Sequence, residues 1–318
     1  MTLSQLQVGD SFTGFYLLKN ITLKTTAAGK PFLAAVLADA SGSMELKVWD
    51  YAGPITSADE GKVVKVQAEV SEYRGSLQAS ARPTRIRLAT EDDQYALSDL
   101  TPAAPMDLDS AYGRIQSLVN SMADPQYQLL CLEFLRRHGD GFRQIPAAKS
   151  VHHGFVGGLM MHTVYMLELA DFLCRLYGNL VNRDLLLSGT LLHDFAKLEE
   201  FTVSQLGLVT GYSTKGQLLG HLVMGAQEAA EVCKELGVPE EKSVLLQHML
   251  LSHHGQPEFG AAVVPQCAEA ELLCYIDNID AKMEIYKENL EKVPVGGFSA
   301  RIFALEKKIY NHGGGKAE

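Results

Sequence analysis

The spacing of the apolar residues changes once along this chain, near residue 100, and this change constrains the fold more than any other feature. Apolar and polar residues alternate in the segment 11–89, most clearly at 64–70, and this alternation predicts strands with one buried face. Beyond residue 105 apolar residues recur every three or four positions, which predicts amphipathic helices. With 318 residues the chain exceeds the usual size of one core, so the two patterns predict two domains.

Turn residues divide the first part into five predicted strands. The sequence DASG at 39–42 is a hairpin signal between two of them. Five such strands match the small barrel of an OB fold. The segments GKPFL at 29–33, LADASGS at 37–43 and LKVWD at 46–50 resemble the nucleic-acid-binding OB folds of bacterial proteins. The predicted strands span 11–25, 31–39, 43–50, 62–72 and 76–88.

The second part is predicted to be an all-α helical bundle. The segment 91–105, which joins it to the first part, combines acidic residues with two prolines and is typical of a linker. We expect the last residues, 312–318, to form a flexible tail. The predicted fold class is therefore multidomain, with an all-β OB-fold barrel at 1–90 followed by the bundle at 106–311. Helices are predicted at 118–134, 159–177, 185–195, 220–236, 241–252 and 269–290.

Charge is divided unevenly between the two parts. Residues 1–90 hold ten Lys and Arg against eight Asp and Glu, whereas the remainder holds 18 against 30, within a net charge of −10. The first part is therefore the better candidate for nucleic-acid contact, and the acidic second part suits metal cations. Five scattered cysteines show no disulfide pattern, and no leader or membrane-spanning segment is visible. We expect a cytoplasmic protein with no membrane partner.

Histidines are concentrated in the second part of the chain, where eight of the ten lie between positions 152 and 254. Side chains delivered by separate helices to a bundle core are a common way to build a dinuclear metal site. Imidazole and carboxylate together favour Mn, Fe, Co, Ni or Zn over Ca. The adjacent His193 and Asp194 supply a nitrogen ligand and a carboxylate that can bridge two ions. The candidate ligands are His162, His193, Asp194, His221, His253, His254 and Asp277.

The motifs around these residues resemble the HD superfamily of metal-dependent phosphohydrolases. The segments HHGFVGGLMMH at 152–162, LLHDFAK at 191–197 and YIDNIDA at 275–281 are similar to its first ligand helix, its HD helix and its final aspartate. With an OB-like part in front, and with GHLVMG at 220–225 and LSHHG at 251–255, nearly the whole chain resembles the YhaM-type 3'-to-5' exoribonucleases.

This resemblance implies two divalent metal ions, with Mn as the first choice and Fe, Co, Ni or Zn as alternatives. A third ion is not expected, because Gly158 stands where the trinuclear branch of the superfamily carries Glu. The sequence GQP after His254 argues against cyclic dinucleotides as substrate. A structural role as a helix cap stays open for His254. One ion is expected on His162, His193, Asp194 and Asp277, and the other on Asp194, His221, His253 and His254.

Further side chains are predicted to handle the substrate. Asp194 and Lys197 are the predicted catalytic side chains, and Lys197 would neutralise charge in the phosphoryl transition state, with a solvated lysine as the alternative. Single strands are held by basic grooves and stacking aromatic rings, although some rings of a barrel must fill its core. The predicted substrate contacts are His153, Tyr212, Thr214 and Lys215 in the bundle, and Phe32, Trp49, Tyr73 and Arg74 in the barrel.

The predicted function is that of a metal-dependent 3'-to-5' exonuclease. It would hydrolyse single-stranded RNA, with DNA as a further substrate, to nucleoside 5'-monophosphates through water activated by two metal ions. The alternative is an HD phosphohydrolase of free nucleotides or small phosphodiesters, whose OB domain regulates activity or forms homo-oligomers. A catalytically silent RNA-binding protein is disfavoured, because a structural metal site needs about four ligands and seven are present here.

Overall fold

A computed structural model describes residues 2–26, 28–73, 75–101, 103–148, 154–204 and 207–314. Two of the predicted substrate contacts, Arg74 and His153, lie outside these described residues. The chain forms two compact units, residues 1–103 and 104–318. The first unit also contains helix α1 (Leu97–Leu100), whose Asp99 carbonyl accepts a hydrogen bond of 2.9 Å from the backbone N–H of Ala40.

The first unit is built around a closed barrel of five strands, which confirms the predicted OB-like class. Strands follow one another around the barrel in the order β1-β2-β3-β5-β4, and β4 closes it by pairing with β1. All pairs are antiparallel except β3 with β5. The strands are β1 Ser11–Thr25, β2 Pro31–Asp39, β3 Gly42–Trp49, β4 Val63–Tyr73 and β5 Ser76–Leu88.

Side-chain alternation along β3 separates the barrel core from its outer face. Met44, Leu46 and Val48 are buried in the core, whereas Lys47 and Trp49 point to the other side of the strand. Successive residues of a strand face opposite sides of the sheet, so this pattern fixes the register of β3. The outer face therefore carries the polar and aromatic side chains that are available to a ligand.

The second unit is a helical bundle with one continuous hydrophobic core. The helix α5 lies at its centre, since nine of its ten residues are buried. Because α5 is central, the turn that follows it and carries His193 and Asp194 also lies inside the bundle. The helices are α2 Leu108–Asn120, α3 Pro125–Phe142, α4 Gly158–Leu176, α5 Arg183–Leu192, α6 Lys197–Glu200, α7 Thr214–Glu235, α8 Glu240–Ser252 and α9 Ala268–Leu290.

The predicted helix at 118–134 is wrong as a single element. The first helix ends at Asn120 and the next begins at Pro125. The Asp124 side chain accepts hydrogen bonds from the backbone N–H groups of Gln126 and Tyr127, and proline is favoured at the first position of a helix. This capping signal overrides the continuous apolar spacing on which the prediction rested.

The prediction of an all-α bundle also missed a small hairpin. Strands β6 (Phe201–Val203) and β7 (Val209–Tyr212) pair in antiparallel fashion and lead directly into α7. Tyr212, a predicted substrate contact, ends the second of these strands. Across the described parts of the chain, no helix combines the length and apolar character needed to cross a membrane.

Candidate metal centre

The seven predicted ligands meet in the interior of the second unit. His162 lies on α4 and Asp277 on α9, whereas the other five lie in the turn after α5, on α7 and at the end of α8. Six of them form two groups of three, and within each group the ligand atoms lie within 4.8 Å of one another. The first group is His162, His193 and Asp277, and the second group is His221, His253 and His254.

Asp194 lies between the two groups. Its Oδ2 atom is 3.3 Å from Nε2 of His193 and 4.0 Å from Nε2 of His162. Its Oδ1 atom is 3.4 Å from Nε2 of His221 and 3.9 Å from Nε2 of His253. Two donor atoms bound to one ion at about 2.1 Å lie roughly 3 to 3.5 Å apart. The shorter distance of each oxygen, 3.3 Å to His193 and 3.4 Å to His221, falls in this range, so Asp194 would help to hold an ion in either group.

In each of the five candidate ligand histidines, Nδ1 makes a contact directed away from the centre. Three of these contacts are to backbone carbonyl oxygens, at 2.8 to 2.9 Å. A hydrogen bond donated by Nδ1 fixes the tautomer and leaves the lone pair of Nε2 for a metal ion. The carbonyl contacts are His193 to Thr190, His253 to Leu250 and His254 to Phe259.

Carboxylates that the sequence analysis missed hold the other two histidines. Nδ1 of His162 lies 2.6 Å from Oδ2 of Asp280. Nδ1 of His221 lies 3.1 Å from both oxygens of Glu200, which also accepts from the His221 backbone N–H at 3.0 Å. Each group thus contains one histidine oriented by a carboxylate. Such a partner makes the imidazole a more basic ligand, and its loss commonly lowers metal affinity.

A kink in α7 aims His221 at the centre. Gly220 interrupts the helical dihedral angles with φ of 71° and ψ of 157°. Residues with a Cβ atom rarely adopt this conformation, so glycine is required there. The kink brings the backbone N–H of His221 to Glu200, and the same carboxylate then fixes the imidazole.

The buried donor atoms fit a divalent metal ion. Asp194 and the imidazoles of His162, His193 and His253 are at most 3% exposed. Among the described residues, Oδ1 of Asp194 and Nε2 of His221 find no hydrogen-bond partner. Burying such atoms without a partner costs roughly 1–3 kcal/mol each. A cation between them would satisfy both, and this donor set suits transition metals.

Charges within the centre oppose the effect of burial. Burial by itself would raise the pKa of Asp194, but Lys197 and His193 hold it well below its ordinary value. Burial by itself would lower the pKa of His162, but Asp277 and Asp280 raise it to about 9. His253 behaves differently, because burial and the neighbouring His193 hold its pKa far below the ordinary value, so it is neutral and ready to bind a metal.

An open cavity of about 430 Å³ exposes one side of the centre. Lys197 lies in its wall and donates hydrogen bonds to Oδ2 of Asp194 at 2.7 Å and to the Ala147 carbonyl at 2.9 Å. Burial would lower the pKa of Lys197, but Asp194 outweighs that effect and raises it, so the ammonium stays charged. Asn278 also lines the cavity, although it was not predicted as a contact.

The predicted substrate contacts of the bundle are placed differently from one another. Tyr212 lines the cavity. Thr214 and Lys215 are exposed at the start of α7 and do not line it, and Lys215 donates to Glu199 at 2.9 Å. Only Tyr212 of these three is therefore beside the metal centre, and the roles of all three stay predictions.

The predicted aromatic contacts of the barrel lie together on its outer face. The rings of Phe32 and Trp49 are 4.9 Å apart. The ammonium of Lys47 lies 5.9 Å from the ring of Trp49 and 5.0 Å from that of Tyr73. Trp49 is 45% exposed and Tyr73 53% exposed, so these rings do not fill the core. We call Phe32, Lys47, Trp49 and Tyr73 the aromatic cluster.

Comparison with known proteins decides the family. A family model described as the HD domain matches residues 159–282, a range that includes all seven candidate ligands. The 3'-5' exoribonuclease YhaM of Geobacillus sp. (strain WCH70) is 39% identical over 310 residues, 96% of this chain and 92% of that relative. The chain belongs to the YhaM family of 3'-5' exoribonucleases. The YhaM of Bacillus subtilis (strain 168) is 37% identical over 306 residues, 96% of this chain and 95% of that relative.

The HD domain of this YhaM-family chain implies binding of divalent metal ions, in agreement with its two ligand groups. Among solved structures, the OB domain of Ta0387 from Thermoplasma acidophilum is 12% identical. It covers 30% of this chain and 90% of that one, with a TM-score of 0.25. The assignment of the barrel in the YhaM-family chain rests on its closed five-stranded order.

Proposed function

We propose that this protein is a metal-dependent 3'-to-5' exonuclease that hydrolyses single-stranded RNA to nucleoside 5'-monophosphates. The observation that carries the proposal is the pair of ligand groups with Asp194 between them, buried and beside an open cavity. Relatives named as 3'-5' exoribonucleases, which match almost end to end, support the direction of digestion and the RNA substrate.

Two divalent ions, Mn in the first instance, would be held by the two ligand groups together with Asp194. The donors are imidazole nitrogens and carboxylate oxygens, a mixture that suits Mn, Fe, Co, Ni or Zn better than Ca. When bound, such a pair supplies an activated water and neutralises phosphate oxygens. The side chains of Asp280 and Glu200 keep His162 and His221 in the orientation that binding requires.

Lys197 positions Asp194 and would also bind phosphate. An ammonium group has three N–H donors, and two of them already serve Asp194 and Ala147. Within the described ranges the third has no hydrogen-bond partner and would donate to a phosphate oxygen in the cavity, where a fixed positive charge would stabilise the charge that develops at phosphorus. Lys197 is thus held in place before substrate binds, so its ammonium group would not have to move as charge develops at phosphorus.

The remaining proposed contacts hold the strand. Tyr212 and Asn278, which line the cavity, would contact the terminal nucleotide, and Thr214 and Lys215 would contact nucleotides farther along the strand. In the barrel, Phe32, Trp49 and Tyr73 would stack on bases, because exposed rings beside a cation suit single-stranded nucleic acid. Arg74, outside the described residues, stays a proposed contact.

The direct test uses metal-stripped protein and a single-stranded RNA labelled at its 5' end. A ladder that shortens from the 3' end only after Mn is added, and only with Asp194 intact, supports the proposal. DNA of the same sequence, measured in parallel, shows whether a 2'-hydroxyl is required. If the RNA stays intact while a small phosphodiester is hydrolysed, the exonuclease is refuted and the small-substrate phosphohydrolase takes its place.

A further inference from the structure

Strand β5 bulges away from its neighbour within the segment 82–85. Val66 of β4 pairs with Ile86 of β5, but Ala68 already pairs with Ala81. Four residues of β5 therefore oppose a single residue of β4. Such a bulge redirects side chains and removes backbone groups from the ladder, which is why Pro83 is tolerated within a strand.

The bulge forms one wall of a groove of about 450 Å³ on the outside of the barrel. Arg82 and Arg85 line the groove from the bulge, and Trp49 of the aromatic cluster lines it as well. Ser11 and Ser80 add hydroxyl groups to the lining. An exposed aromatic ring and two cations therefore share one surface depression.

The two arginines of the bulge differ from Arg87, which follows on the same strand. The Arg87 guanidinium is held by both oxygens of Asp93, at 2.6 and 2.7 Å. Arg82 and Arg85 are exposed, and across the described ranges neither forms an ion pair or hydrogen bond. Their guanidinium groups are available for the planar, two-pronged recognition of phosphate that arginine favours.

Two carboxylates also line the groove, and they reduce its positive charge unequally. Asp50 already faces Lys30 at 3.4 Å, so its charge is largely balanced. Glu69 lies on the outer face of β4, where it opposes the charge of the arginines. With Lys30 set against Asp50, two arginines face one remaining carboxylate, so the surface keeps a net positive charge that favours an anionic chain.

We propose that this groove binds the phosphate backbone of single-stranded RNA, with Arg82 and Arg85 on phosphate oxygens and Trp49 stacked on a base. The proposal rests on the proposed function, since it extends the path of the same RNA from the aromatic cluster onto β5. Backbone cations beside a stacking ring are what binding of a single strand without sequence preference requires. The bulge would then direct the two arginine side chains into the groove.

The test measures RNA binding by fluorescence anisotropy at several salt concentrations, with the full chain and with chelator present to prevent turnover. Each phosphate contact contributes about 0.7 to the slope of log affinity against log salt for single strands. Arg82→Ala and Arg85→Ala should each lower the slope by about this amount, and the double variant should lose twice as much. Glu69→Gln should tighten binding, because it removes an opposing charge.

Arg87→Ala is the matched control, since Asp93 already occupies that guanidinium; its slope should equal that of the unaltered chain. Slopes of the bulge variants that match the Arg87→Ala control, while Trp49→Ala still weakens binding, would overturn the groove and leave the exonuclease proposal standing. Unchanged salt dependence in the double variant, together with normal digestion of RNA from the 3' end, would likewise refute RNA binding in the groove. No digestion of RNA by the unaltered chain would instead overturn the proposed function.

Discussion

The metal centre and the aromatic cluster of the barrel are built on opposite principles. In the centre, four of the seven candidate ligands are buried and three are half-buried, and each ligand histidine has a second hydrogen-bond partner at Nδ1. In the cluster, the rings of Trp49 and Tyr73 are about half exposed, and the positions follow from strand alternation alone. Buried groups that depend on one another fail together, whereas exposed contacts contribute separately. Mutations in the two regions should therefore differ in size and in kind.

The largest effect is expected for Asp194→Asn, which removes the charge that both ligand groups share. We expect turnover of RNA to fall by about 1,000-fold or more, since the loss of one essential group disables a unit that acts as a whole. Initial rates with saturating Mn measure the effect, with circular dichroism as the check on folding. Turnover within about ten-fold of the unaltered chain would show that Asp194 is not shared by the ions.

A smaller effect is expected for Glu200→Gln and Asp280→Asn, which weaken only the orientation of a histidine. Loss of such a partner commonly reduces metal affinity by about 10- to 100-fold. Competition with a chromophoric chelator measures affinity independently of turnover. Glu199→Gln is the control, because its carboxylate is exposed and contacts Lys215 instead of a ligand. Equal affinities for the Glu200 and Glu199 variants would contradict the account.

Replacement of Gly220 tests the kink that aims His221. Alanine at φ of 71° and ψ of 157° should cost about 1 kcal/mol or more of unfolding free energy, because that conformation disfavours a Cβ atom. Gly225→Ala in the same helix is the control: its Cβ would meet Ala196 at an ordinary 3.6 Å, and alanine favours a helix. Urea titration separates the two, and equal stabilities would argue against a required kink.

The contrast between the two regions also explains which parts of the site could be predicted from the sequence. Histidines and aspartates on separate helices are rare enough to stand out, and their pattern identified all seven candidate ligands. Glu200 gave no such signal, because an adjacent pair of glutamates is typical of a solvated helix, and only the fold brings one of them to His221. Asp280 offered a weak signal, since it lies one turn after Asp277 on α9.

Some features of the fold likewise follow from neighbouring residues in the sequence, whereas others depend on contacts between distant segments. Alternation and turn residues predicted all five barrel strands, because register and burial follow from a period of two. The bulge of β5 depends on how two strands pair, and a single strand carries little sign of that beyond Pro83. The break between α2 and α3 is marked in the sequence by Asp124 followed by Pro125, a capping signal that apolar spacing alone does not contain.

The central claim is that the barrel binds RNA and the metal centre hydrolyses it, and comparison of a polymeric with a small substrate tests this claim most directly. The double variant Trp49→Ala/Tyr73→Ala would be compared with the unaltered chain on single-stranded RNA and on bis(p-nitrophenyl) phosphate, with Tyr95→Ala as the control on the same unit. Each lost stacking contact should cost about 1 kcal/mol, roughly five-fold, in kcat/KM for RNA. Hydrolysis of the small diester should be unchanged, because its site is the metal centre. Equal losses on both substrates, or no loss on RNA, would contradict the account.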